Sequence, residues 1–515
     1  VFELANPVSL AKTEQLLLEG GDARIALEPR SKTNKYGCSP VPTPTIAAFG
    51  SSTASSISEL GFAAANRLRD RLAICVDEEP HDLIYTRELN RIRQELLHLC
   101  SLADLPGLAT VLAASGTDLH LIAAQLAAGP KSTPTLIVMM EAAETGNGVP
   151  AALSGLHFSP RSALGHCAIE GTPVAEGSGI QLATVAVRLT DGSLRPIAEV
   201  DTEVESLVMR ATHGGQRVLL VLVDISKTGL LVPSPSCVSE LRQRMPETLD
   251  VMVDACQFRI APPTLRSYLQ HGFMVALTGS KFLTGPAFSG ALLIPSPMTS
   301  RFRKCRLPHA LSAYSTRAEW PAIWEAASQL DDGENFGLLL RWEAALADLR
   351  AFYSLPEKQV ADFMQVFADA MHYRLKNDPV FELLPIPAID RHPFINSFSW
   401  DQIPTIFPFL LYRPGPRQTR VPLDREQTLH IYHLLQSDLA EIHESGAAGL
   451  RCQMGQPVNC GVRNGVAVSA LRLCNSSRLI VEATGNGGTC AGEVVKRALA
   501  ALDKVALLVN SSPAL

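Results

Sequence analysis

A lysine lies in the small-residue turn Leu277-Thr278-Gly279-Ser280-Lys281-Phe282-Leu283-Thr284-Gly285-Pro286, twenty-seven residues after the aspartate that closes Val251-Met252-Val253-Asp254. An amine in such a turn can condense with an aldehyde, and a carboxylate at a neighbouring strand end can hold a ring nitrogen protonated. Taken singly, the lysine reads as a solvated end residue and the aspartate as a helix cap. Their order favours chemistry. Met274-Val275-Ala276-Leu277 and Val251-Met252-Val253 are short apolar runs of the kind that form buried parallel strands, so both polar residues should emerge at carboxyl ends, where open α/β sheets bind ligands.

A third feature lies upstream. The run Leu108 to Ala113 reads as a buried strand, and Ser115-Gly116-Thr117-Asp118 then opens a helix expected over Leu119 to Ala128. A glycine turn at a helix amino end, flanked by hydroxyls, presents free N–H groups and the positive end of the dipole to a phosphate. The same four residues also serve as a plain helix cap. A lysine for an aldehyde, a carboxylate for a ring nitrogen and a cradle for a phosphate together describe a pyridoxal-phosphate site.

The elements that must position these groups alternate. Strands are expected at Leu136 to Met140, Gln181 to Leu189, Val218 to Asp224 and Phe288 to Ile294, with helices at Ser58 to Asp77, Glu88 to Leu99, Thr202 to Thr212 and Ser236 to Arg244. Such alternation predicts a mostly parallel, doubly wound α/β sheet. Residues 1–45 read as an N-terminal arm with a helical patch over Val8 to Glu19, residues 46–325 as the large domain, and residues 326–515 as a smaller α+β domain. That domain begins with long helices at Asn335 to Tyr353 and Glu357 to Lys376 and ends in a helix at Gly492 to Leu507. The echo between Thr145-Gly146-Asn147-Gly148 and Thr484-Gly485-Asn486-Gly487 is too short to mark a repeat architecture.

Composition narrows the function class. At 515 residues, 46% hydrophobic and 19% charged, the chain can bury a large core, and a net charge of -6 gives no footprint for nucleic acid or an anionic membrane. No apolar run approaches a membrane span, and the first residues lack a signal-peptide pattern. Eleven cysteines without a C-x-x-C pair suit reduced thiols, which makes the cytoplasm the expected compartment. His430 and His433 share a helical face without a further ligand nearby, so no metal site is expected. P-loop, nucleophile-elbow and kinase motifs are absent.

Asp254-x-x-Gln257, Lys281 with Gly285-Pro286, Ser226-x-Thr228-Gly229 after a strand, and Ser115-Gly116-Thr117 together resemble the fold-type-I pyridoxal-phosphate enzymes, in their class V aminotransferase and cysteine desulfurase branch. The resemblance covers about residues 100–300 well and the C-terminal part weakly. It implies that Lys281 carries the cofactor, Asp254 pairs with the pyridinium nitrogen, Gln257 meets the phenolic oxygen, and Gly116, Thr117 and Ser280 hold the phosphate beside Ser115. It puts Thr228 on the cofactor side, His157 against the ring face, and Arg472 on a substrate carboxylate with Arg317 as a rival. It also implies a homodimer in which Gly285-Pro286 reaches the neighbour's phosphate pocket. Ser280 stands where many relatives carry histidine, and Cys305 is the sole cysteine after the lysine motif in that stretch, without the mobile loop desulfurases use. An aminotransferase acting on an amino acid or small amine is therefore expected first, a lyase, desulfurase or decarboxylase second, and a non-catalytic relative of the fold third.

Overall fold

A computed structural model describes residues 10–128, 134–177, 179–415, 419–443, 445–485 and 490–511. Its larger sheet has the spatial order Ile180–Val185, Thr135–Met140, Arg217–Asp224, Leu249–Ala255, Met274–Thr278, Gly290–Ile294, Ala109–Ala113, with Leu231–Val232 paired to Arg217–Asp224. The first five are mutually parallel, and Gly290–Ile294 runs antiparallel to both neighbours. The doubly wound sheet expected from the alternation is thus present, with Gly290–Ile294 and the short Leu231–Val232 reversed.

Burial explains the strand sequences. Leu220, Leu222, Val251, Val253 and Val275 belong to the core on one face, while Leu219, Val221, Met252, Met274 and Ala276 belong to the core on the other. With period-two side chains and helices on both faces, every position in these runs must be apolar. Each buried valine or leucine contributes about 2 kcal/mol. The polar exceptions Asp224, Asp254 and Thr278 are buried at carboxyl ends, where hydrogen bonds replace packing.

Helices form at Glu59–Cys75, His81–Leu99, Gly116–Ala127, Ile197–His213, Pro235–Arg244, Phe336–Tyr353, Glu357–Asn377 and Ala491–Ser511, close to their expected limits except that the second begins at His81 and not Glu88 and the fourth at Ile197 and not Thr202. The patch expected over Val8 to Glu19 is helical only at Thr13–Leu16; residues 8 and 9 lie outside the described residues. The carbonyls of Leu17 and Gly20 instead accept from buried Arg341 at 3.3 and 2.9 Å, and Gly20 turns the chain at φ +65°. Asn486 and Gly487 of the second echoing turn also lie outside the described residues.

A second sheet has the order Ala47–Phe49, Cys452–Arg463, Val466–Cys474, Ile406–Pro414, Phe381–Leu383, with Arg420–Pro422 paired to Ile406–Pro414. Asn464 and Gly465, both at positive φ (50° and 81°), make the two-residue hairpin turn between its central strands. The short strand Ala47–Phe49 comes from the amino-terminal part of the chain and pairs in parallel with Cys452–Arg463. The segment after it, Gly50 to Ser56, therefore runs directly along the edge of the larger sheet's ligand side. Among the described residues no helix is long and apolar enough to cross a membrane.

Candidate active site at the strand ends

Asp254 closes the strand Leu249–Ala255, between Val223 and Ala276 of its neighbours. Its Oδ1 accepts the Cys256 N–H at 3.1 Å, and its Oδ2 lies 3.3 Å from His120 Nε2, an ion-pair contact without the alignment of a hydrogen bond. His120 is fixed by its other nitrogen, whose contact with the Gly116 carbonyl at 2.6 Å makes Nδ1 the donor. Burial alone would raise the Asp254 carboxyl; the opposing pull of His120, then of Lys281 and the Cys256 amide, outweighs it and holds the group well below the usual carboxylate range. A buried anion is thereby maintained where a ring cation would need it.

The helix Gly116–Ala127 begins directly above this edge. A Cβ on Gly116 would meet Cys256 Sγ at 2.9 Å and Thr278 Cγ2 at 3.3 Å, so glycine permits the close approach. Ser115 caps the helix by accepting the Asp118 N–H at 3.3 Å. Arg24, in the turn Ala23–Ile25 of the amino-terminal arm, reaches the same spot: Nη1 donates to Thr117 Oγ1 at 3.3 Å and Nη2 to Ser115 Oγ at 3.4 Å, while Nε holds Asp22 at 2.9 Å. A guanidinium and a helix amino end at one point suit a phosphate.

Lys281 is partly exposed, and among the described residues its amine makes no hydrogen bond or ion pair, though it acts electrostatically on Asp254 and Cys256. Its turn is fixed from behind. Gly279 and Gly285 pack against Ala345 of the helix Phe336–Tyr353, where added Cβ atoms would stand 2.5 and 2.8 Å from the alanine methyl. Thr284, at φ +59°, donates from its amide to the Lys281 carbonyl at 2.9 Å and from its hydroxyl to Asp348 at 3.5 Å. Ser280 donates to Thr278 Oγ1 at 3.4 Å, beside Gly116.

Asp348 has a testable signature. Buried between the Ser58 and Thr284 hydroxyls, its carboxyl is pushed up to about 7 by desolvation. The folded state then binds more protons than the unfolded one between about pH 4 and 7, so stability falls as pH rises through that window, by about 1.4 kcal/mol per unit before relaxation. Asp348→Asn is expected to remove this share, so that the variant gains on the wild type by a few kcal/mol from low pH to neutrality in urea unfolding followed against pH. An unchanged difference across the window would refute the assignment.

Facing the lysine is a buried network. Glu144 pairs with Arg188 Nε at 3.0 Å and accepts the Ser226 and Thr228 hydroxyls at 2.6 Å each, and Arg188 also donates to Thr228 at 2.9 Å. Arg472, from the second sheet, is buried and donates to the Lys227 carbonyl at 3.2 Å and Thr53 Oγ1 at 2.8 Å, with its Nε unpartnered. Gln257 donates to the Ser52 carbonyl at 3.0 Å and accepts from Arg259 at 3.4 Å, leaving one amide N–H.

Several residues fall elsewhere. Thr228 is spent inside the Glu144 network, its proton committed to the carboxylate, so a cofactor contact through its hydroxyl is not what the fold provides. The His157 ring stacks on Tyr314 at 5.7 Å and bonds its hydroxyl at 2.6 Å, and no contact joins it to Asp254 or Lys281; burial lowers its pKa. Arg317 lies in a surface cleft with Trp320 and Trp324, bonded to the Leu330 carbonyl at 3.1 Å and 3.6 Å from Asp332. Gly285 and Pro286 are buried within this chain. The Cys305 thiol is pushed up by burial. His120, Arg24, Lys227 and the Ser51 to Thr53 loop escape the sequence reading, although His120 one helical turn beyond Gly116 carried a usable signal.

The sequence matches no family model and no curated protein. Solved structures do match. Cysteine desulfurase CsdA from Escherichia coli superposes with a TM-score of 0.52 at 14% identity, over 90% of this chain and 96% of that one. Ureidoglycine-glyoxylate aminotransferase from Bacillus subtilis gives 0.50 at 12% identity, over 92% and 95%. A structure of SPT with pyridoxal phosphate gives 0.50 at 12% identity, over 96% of each chain. The chain has the fold of the fold-type-I pyridoxal-phosphate enzymes, as the resemblance in its motifs implied.

Proposed function

We propose that this chain binds pyridoxal phosphate through Lys281 and acts on an amino acid, with amino-group transfer as the first reaction to test. The observation that carries the proposal is the Asp254 carboxylate, kept ionised at a buried strand end by His120, beneath a helix amino end and within electrostatic reach of an amine that has no other partner. The donor set fits the cofactor. Asp254 would hold the pyridine nitrogen protonated, Gly116, Thr117, Ser280 and Arg24 would take the phosphate beside Ser115, whose hydroxyl proton goes to Asp118, and the remaining Gln257 N–H would meet the phenolic oxygen. When bound, pyridoxal phosphate supplies an aldehyde that condenses with amines and a ring that accepts electrons from the substrate Cα.

The protein's own part is binding, orientation and proton transfer. Lys281 Nζ, once displaced by the substrate amine, can take and return the proton at Cα. Arg472, a buried guanidinium with an unpartnered Nε and no carboxylate in ion-pair contact among the described residues, would receive the substrate carboxylate. A lyase is the second reading; the partly buried Cys305, its thiol pushed up, gives a persulfide route no support. A homodimer belongs to the proposal and is checked by sedimentation.

The test is to add amino donors one at a time to the cofactor-loaded protein. Conversion of the cofactor to its amine form with release of the matching oxo acid supports transfer. Release of ammonia, sulfide or carbon dioxide while the cofactor stays unchanged would replace it with a lyase.

A further inference from the structure

Lys227 has no role in the site as assigned so far, yet its placement is rigid. It sits in the turn after Arg217–Asp224, where Ile225 adopts φ +63°, a conformation β-branched residues avoid. The turn is held by Ser226 N–H to the Leu230 carbonyl at 2.8 Å and by the Ser226 and Thr228 hydroxyls, one on each side of Lys227, on the buried Glu144–Arg188 pair. Its own N–H donates to the Glu144 carbonyl at 2.9 Å, and its carbonyl accepts from Arg472 at 3.2 Å. The backbone is clamped on both sides while the side chain, partly exposed, makes no hydrogen bond or ion pair among the described residues.

Cations outweigh anions around it. Of the two carboxylates that act on Lys227, Glu144 is already paired with Arg188 at 3.0 Å, and Asp254 is shared with Lys281 and lies 3.3 Å from His120 Nε2. Burial, then repulsion by Arg472 and by Lys281, outweighs the pull of Glu144 and Asp254 and pushes Lys227 down to about 7. If Lys281 is occupied with the cofactor and Arg472 with one carboxylate, one cation is left over. We propose that Lys227 and Arg472 form a two-point anion receptor, and that the substrate is an amino acid whose side chain ends in a second acidic group, carboxylate or phosphate. This rests on the function proposed above and adds the substrate class.

The probes are propanoate, succinate and phosphoglycolate, titrated calorimetrically below neutrality into the protein saturated with pyridoxal phosphate. Succinate or phosphoglycolate should bind at least about ten-fold more tightly than propanoate, a tenfold difference being about 1.4 kcal/mol, and whichever is tighter names the acidic group. Lys227→Met should abolish that preference, Lys227→Arg should keep it, and Arg472→Met should weaken all three. Equal binding of the three by the wild type, or a preference kept in Lys227→Met or, should that variant fold poorly, in Lys227→Gln, overturns the proposal. A protein that takes up no pyridoxal phosphate defeats the proposed function separately, because the succinate and propanoate titrations without cofactor still read the receptor.

Discussion

Asp254→Ala is expected to lower turnover by about a thousand-fold or more, equivalent to about 4 kcal/mol of transition-state stabilisation, while leaving the Lys281 turn intact. In the proposed function the Asp254 carboxylate would keep the ring nitrogen of pyridoxal phosphate protonated, and without it the cofactor would lose the capacity to accept electrons. The substitution also strands His120, whose Nδ1 stays tied to the Gly116 carbonyl while Nε2 loses its partner at 3.3 Å. Removing one member of a buried pair costs about 3–5 kcal/mol, so turnover and denaturant midpoint should fall together. Asp254→Ala with His120→Asn should recover stability and leave turnover low, because an amide can keep the carbonyl contact without stranding a buried ring nitrogen. If the double variant regained turnover, Asp254 would be a structural residue only.

Glu144→Gln is the second large effect. Glu144 is almost wholly buried, with three donors converging on it from Arg188, Ser226 and Thr228, and its amide replacement leaves the Arg188 guanidinium unmatched. A loss of about 3–5 kcal/mol is expected, read as a lower urea midpoint at unchanged slope. Because the same groups restrain the strained Ile225 turn, the variant should also loosen Lys227 and Arg472 and raise the KM for substrate. Arg188→Met added to Glu144→Gln should lose less stability than Glu144→Gln alone, since no unpaired charge remains. A larger loss in the double variant would mean the pair acts through packing.

Much of this site is written locally in the chain. Asp254 and Lys281 are legible because both end apolar runs whose length and bounding glycines specify buried strands, and Ser115-Gly116-Thr117 because a cap precedes a helical pattern. The Asn464-Gly465 hairpin carried an equally strong local signal, and it places the strand that brings in Arg472. Other residues are set by partners far away in sequence. Arg24 meets Thr117 across ninety-three residues and His157 meets Tyr314 across one hundred and fifty-seven, so neither the gain of the first nor the diversion of the second follows from spacing. Thr228 is likewise decided by Glu144, eighty-four residues before it. Gly50 to Ser56 looks like linker because it is small and polar; it is buried because Arg259, Gln257 and Arg472 all bond to it.

The most direct test of the central claim is the site of cofactor attachment. The purified protein would be incubated with pyridoxal phosphate, reduced with borohydride, digested and mapped by mass spectrometry, alongside Lys281→Ala. The structure-based expectation is a single reduced pyridoxyl group on Lys281 in the wild type and none in the variant. Attachment at Lys227 instead, or labelling of surface lysines that is the same in both proteins, would contradict the assignment of Lys281 as the cofactor lysine.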